Sequence, residues 1–167
     1  MGGGVRRALA ADHGSLIHIL PLYDPEAFFP RLRAPVFDHT PAEFDELITA
    51  TIVGELYEFL GKIRNGLASG KTSYLPALAV EMAQYGAYII GLANRTLYTS
   101  SSTLFAESLS LPDRPQGYDG LCRLVMSGQL ADSDRVGAAA DAFWDGIEAW
   151  AKGRGLEIHT RLEDLLK

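Results

Sequence analysis

The sequence predicts an all-α protein, an up-and-down bundle of about five helices behind a short N-terminal lead-in. Three observations carry this. Apolar residues recur at steps of three and four over long stretches, which is helical periodicity. Residues that start and stop helices bracket those stretches. No run alternates apolar and polar residues as a half-buried strand does. The chain's 167 residues suit one domain with a core of its own.

Residues 1–38 read as the lead-in. Its first dozen residues are rich in glycine and alanine. His13–Tyr23 (HGSLIHILPLY) reads as a short strand or buried linker. Asp24-Pro25 gives an N-cap followed by proline at the first helical position. A short helix is expected from Pro25 to about Arg33, ended by Pro35.

Residues 39–167 read as the bundle. Thr40-Pro41-Ala42-Glu43 has the spacing of a capping box. From it one helix is expected to about Leu67, with Phe44, Leu47, Ile48, Thr51, Ile52, Leu56, Phe59, Leu60 and Ile63 at helical spacing. Gly66, Ser69 and Gly70 break it. A second long helix is expected over Ser73–Tyr98. Gly86 and Gly91 weaken that helix locally, and close approach by a neighbour would explain them. Thr99–Ser102 reads as a polar turn. Short helices follow over Thr103–Leu109 and Tyr118–Met126. A last long helix starts at Asp132 or Ser133 and ends at Gly153. Thr160–Lys167 has length for one or two more turns.

Composition excludes several classes of function. Fifteen basic and 21 acidic residues give a net charge of −6, without a basic run. Nucleic-acid binding needs clustered cations, so it is not expected. An acidic balance suits a cationic ligand. One cysteine, Cys122, rules out a disulfide within the chain and a cysteine-rich zinc site. No stretch of about 20 apolar residues stands out, so no membrane span is expected. The start lacks a signal-peptide core, which points to the cytoplasm.

Several motifs imitate chemistry. Gly66–Thr72 (GLASGKT) resembles a phosphate-binding loop, but it has three residues between its glycines where four are needed, and a helix precedes it. Gly14-Ser15 followed by Asp24-Pro25-Glu26 resembles a metal-carboxylate signature, but Pro21 and Pro25 interrupt the strand it requires. Arg154 and His159 have the Arg-x4-His spacing of helical RNA-cleaving domains, but Gly153 and Gly155 break the helix there. The four histidines, His13, His18, His39 and His159, show no ligand spacing. Cys122 reads as a buried small hydrophobe.

One constellation stands apart. In a regular helix Glu55, Glu58 and Lys62, at i, i+3 and i+7, share one face. As surface groups they form a solvated stripe with an i,i+4 pair. As chemistry they offer a carboxylate base beside an ammonium for phosphate. Glu55 is the candidate for substrate binding.

The segments HILPLYDPEAFF, VGELYEFLGKIRN, TSYLPALAVEMAQYGAYIIGLANRTLYTSSS, GYDGLCRLVMSGQL and FWDGIEAWAKGRG resemble the kanamycin nucleotidyltransferases, the aminoglycoside 4'-O-adenylyltransferases. The similarity runs from about His13 to Ile158 and covers the C-terminal helical domain of that family. The resemblance implies transfer of AMP from ATP to a sugar hydroxyl with magnesium. It makes Glu58 the general base, Lys62 a nucleotide contact and Ser100 a hydroxyl at the nucleotide site. It also implies a homodimer whose active sites draw on both subunits.

The family's Gly-Ser loop and metal-binding carboxylates belong to an N-terminal α/β domain for which this chain has no room. No metal or cofactor site is therefore expected in these residues. ATP and magnesium would come with a catalytic partner. The expectation is a stand-alone relative of the helical domain, inactive alone, or one half of a split enzyme with a separate nucleotidyltransferase chain. The alternatives are a binding module for an aminoglycoside or other cation, a helical partner of a small nucleotidyltransferase, and a ribonuclease built on Arg154 and His159.

Overall fold

A computed structural model describes residues 24–27, 31 and 39–159. The expected strand or linker at His13–Tyr23 and the helical tail at Thr160–Lys167 lie outside these residues. The expected helix at Pro25 is corrected at its start. Pro25 and Glu26 stand in a turn closed by the Ala27 N–H on the Asp24 carbonyl at 3.2 Å. Most of its remaining residues are outside the described set.

Helix α1 spans Pro41–Thr51 and begins with the expected capping box. Thr40 Oγ1 accepts from the Glu43 N–H at 3.3 Å, and the Glu43 carboxylate accepts from the Thr40 N–H at 2.7 Å. That backbone N–H, with the Thr40 hydroxyl, holds the Glu43 carboxyl below the usual carboxylate range.

The single helix expected to Leu67 is interrupted. A wide π turn occupies Ile52–Leu56, and α2 then runs over Tyr57–Ser69. The apolar pattern explains the interruption. Phe44, Ile48, Ile52, Leu56 and Leu60 follow at uniform steps of four, and all are buried. Each such step overshoots a regular α-turn by about 40°, so four steps would carry the stripe about 160° around the helix. A wider turn absorbs that drift and keeps all five side chains inward. Burying each aliphatic side chain contributes about 1.5–3 kcal/mol, which outweighs one irregular turn.

Gly70, at φ 69°, closes α2 in the left-handed conformation, the usual role of glycine past a helix end. Helix α3 spans Leu75–Ala93 and ends five residues before the expected Tyr98. The Asn94 amide donates to the Ile90 and Asp113 carbonyls, both at 2.8 Å. Arg95 takes a positive φ of 49°, and the Thr96 N–H returns to the Gly91 carbonyl at 2.9 Å. The chain thus doubles back, and the Tyr98 hydroxyl donates to the Ala87 carbonyl at 2.5 Å. Tyr98 and its neighbours look helical in composition because they cover α3 rather than extend it.

Helix α4 spans Leu104–Ser108, α5 spans Tyr118–Met126, and α6 spans Ser133–Gly153. Asp132 caps α6 by accepting from the Arg135 N–H at 3.1 Å. With the run from Pro41 to Ser69 taken as one rod, the described residues hold five helices and no strand.

Helix α3 lies in the core. It packs antiparallel to the α1–α2 rod, with Phe59 against Tyr85 at 5.4 Å and Arg95 over the Phe44 ring at 5.5 Å. Gly86 lets α5 and α6 approach it: an added Cβ would lie 2.7 Å from Phe143 Cζ and 2.9 Å from Tyr118 Cε2. By length and composition alone α3 could cross a membrane, which corrects the expectation of no such stretch. More than half of it is buried inside the bundle, as a core helix must be.

Candidate functional site

The first two turns of α2 carry the candidate chemistry. Lys62 Nζ meets Glu58 Oε1 at 2.5 Å, and their side chains are 50% and 57% exposed. Spacing of four on a regular helix produces this pair. The chain on either side is fixed to α6. Tyr57 leans on Trp144, with ring centroids 5.5 Å apart. Arg64 Nε donates to Asp141 Oδ1 at 2.8 Å. The Tyr74 hydroxyl, from the start of α3, donates to the Lys62 carbonyl at 3.3 Å.

Glu55 lies one turn before the pair, at the junction of the π turn with α2. The π turn that holds it widens the helix there. Glu55 is half-buried, and no hydrogen bond or ion pair links it to Glu58 or Lys62 among the described residues. Ser100 lies in a separate segment, the turn before α4. Its N–H donates to Thr103 Oγ1 at 3.2 Å, and its hydroxyl lies 2.8 Å from that of Ser102 and 3.1 Å from that of Thr103. The polar turn stands where expected, and Ser100, Ser102 and Thr103 bring three hydroxyls close together.

Two of the imitation motifs resolve as structure, and Gly14-Ser15 of the third lies outside the described residues. Gly66–Thr72 is the end of α2 and its turn, where a Cβ on Gly66 would press on the Tyr74 hydroxyl at 2.7 Å. Arg154 caps α6 from outside the helix. Its guanidinium donates to Asp113 and, at 3.2 Å, to Asp45, and it lies over the Trp150 ring. It is a structural latch, and His159 sits beyond it near Glu157 at 3.5 Å. Cys122 is fully buried, and burial pushes its thiol pKa up.

Two features had no signal in the sequence. One is the latch, completed by Trp150 Nε1 donating to Asp113 Oδ1 at 2.6 Å. The other is an open groove of about 460 Å³ between α1 and the segment after α6, lined by Asp45, Glu46, Val53, Leu156, Glu157 and His159 among others. Both join residues more than 100 positions apart, and local spacing carries no trace of that.

The model of the KNTase C-terminal domain family matches residues 26–157. Two curated relatives named aminoglycoside nucleotidyltransferase (4'), from a Bacillus species and from Staphylococcus aureus, are each 40% identical over 143 residues. That stretch is 86% of this chain and 56% of each relative, so the chain spans little more than half their length. The matched residues include the whole helical bundle and the Glu58–Lys62 pair, and the chain belongs to the KNTase C-terminal domain family.

Proposed function

We propose that this domain handles the acceptor in aminoglycoside nucleotidyl transfer, with Glu58 as general base. The observation that carries the reading is the exposed Glu58–Lys62 pair on α2 of a chain in this family. A base needs only hydrogen-bond reach to the proton it removes, and an exposed carboxylate on a rigid helix offers it. Glu58 takes the proton from the acceptor hydroxyl. The oxygen attacks the α-phosphorus of ATP, the bond to pyrophosphate breaks, and AMP remains on the acceptor. Lys62 stabilises the phosphate charge that develops. Ser100 supplies a second contact to the nucleotide, and Glu55 holds an ammonium group of the acceptor.

Magnesium does not fit these residues. No three His, Cys, Asp or Glu side chains converge as ligands among the described residues, and no step is assigned to the metal here. In this reading the 167 residues do not transfer AMP alone. A nucleotidyltransferase domain, such as a separate chain, brings the ATP and metal site. The reading also makes the protein a cytoplasmic homodimer.

The test mixes the purified chain with ATP, magnesium and kanamycin and follows adenylylated kanamycin by mass spectrometry. No product is expected from the chain alone. Product is expected once the nucleotidyltransferase portion of one of the relatives is added. Turnover by the chain alone contradicts the need for a second domain. Kanamycin binding without turnover in the mixture favours a binding module for cations instead.

A further inference from the structure

We propose that the Tyr57 ring, backed by Trp144, is a platform for the acceptor's ring and helps set acceptor specificity. This rests on the acceptor-handling role proposed above. The large hydrophobic side chains exposed among the described residues are Tyr57, Tyr74 and Met126. Tyr74 is tied to the Lys62 carbonyl, and Met126 ends α5. Tyr57 stands next to Glu58, with 41% of its surface open.

An exposed aromatic ring that swings freely loses entropy when a ligand orders it. Tyr57 is already held: Trp144 beneath it is only 4% exposed, and the two rings meet at 43°. Pre-ordering of this kind lowers the cost of binding. The helix surface beside the ring is bare. Gly54 and Gly61 lie one turn before and after Tyr57, and a Cβ at either would meet nothing within 4 Å. Packing inside the domain therefore does not require glycine there, although glycine weakens a helix interior. The helix surface is open at both of these positions beside the ring.

Charge selects which ligand. The open face of an aromatic ring carries the negative end of its quadrupole and attracts cations. It favours a ligand with ammonium groups and offers nothing to an anionic triphosphate. The bare faces of an aminosugar or aminocyclitol ring match the apolar surface, and its ammonium groups match the negative ring face. Tyr57 is thus assigned to the acceptor, not to ATP.

The test is calorimetric titration of kanamycin into the full chain as wild type, Tyr57→Leu, Tyr57→Phe and Glu58→Gln. Tyr57→Leu is expected to weaken binding about tenfold, while Tyr57→Phe, which keeps the ring, stays within about twofold of wild type. The circular dichroism of both Tyr57 variants should match wild type, and titrating well below the melting temperature of Tyr57→Leu separates lost binding from lost fold. Kanamycin binding that Tyr57→Leu leaves intact overturns the platform while leaving Glu58 as base. A wild-type chain that binds no kanamycin overturns it as well. If ATP titrated in parallel is weakened instead, the assignment to the acceptor is wrong.

Discussion

Glu43 and Glu58 are both exposed glutamates near the start of a helix, and they do different work. Glu43 returns to the Thr40 N–H and closes the first turn of α1. Its folded-state pKa is depressed, so its contribution to stability is present above the unfolded carboxylate pKa. That contribution fades as pH falls through the folded value. Glu43→Ala should therefore lower the melting temperature at neutral pH. The gap from wild type should close in acid, below the usual carboxylate range, and a gap independent of pH would show that the carboxylate charge is not the cause. Glu58 makes only an i,i+4 pair, worth about 0.3–0.5 kcal/mol on a helix surface. So small a gain does not explain the pair as a device for stability, and leaves it available for chemistry. The sequence showed the Glu58–Lys62 pair directly, because spacing of four on a regular helix needs no tertiary information. The π turn that holds Glu55 was not expected from that spacing.

The glycines separate two kinds of helix surface. Gly86 sits where α5 and α6 press on α3, and a Cβ there lies 2.7 Å from Phe143 Cζ. Gly61 sits on the open face of α2 and meets nothing. Gly61→Ala should raise stability by about 0.5–1 kcal/mol, the helix-propensity gain alone. Gly86→Ala should lower it by about 1–3 kcal/mol through overpacking. Urea denaturation of both variants checks this, and a destabilised Gly61→Ala would show an unseen contact on that face. Helix ends with chemical caps were legible from sequence: Thr40, Gly70 and Asp132 all act as their residue types dictate. The π turn was readable in principle, since an unbroken series of i+4 apolar steps from Phe44 to Leu60 cannot stay on one side of an ideal helix. The end of α3 was not, because the bonds that stop it run from Asn94 to Asp113, a loop still to come in the chain.

At the scale of the molecule, the start of the bundle is fastened to its end. Arg154 joins Asp45 of α1 to Asp113, and Trp150 of α6 reaches the same Asp113. With α2 fixed to α6 through Tyr57 and Arg64, the candidate site stands on two long helices that are tied to each other. A site on rigid elements holds its geometry better than one on loops. The net charge of −6 suits a cationic acceptor. The central claim is that Glu58 is the base, and one measurement addresses it most directly: kcat for kanamycin adenylylation by Glu58→Gln, in the mixture with a nucleotidyltransferase domain. General-base catalysis contributes about 10²–10⁴-fold, so kcat should fall by that factor while the KM for kanamycin changes little. A Glu58→Gln protein that turns over at the wild-type rate would contradict the account.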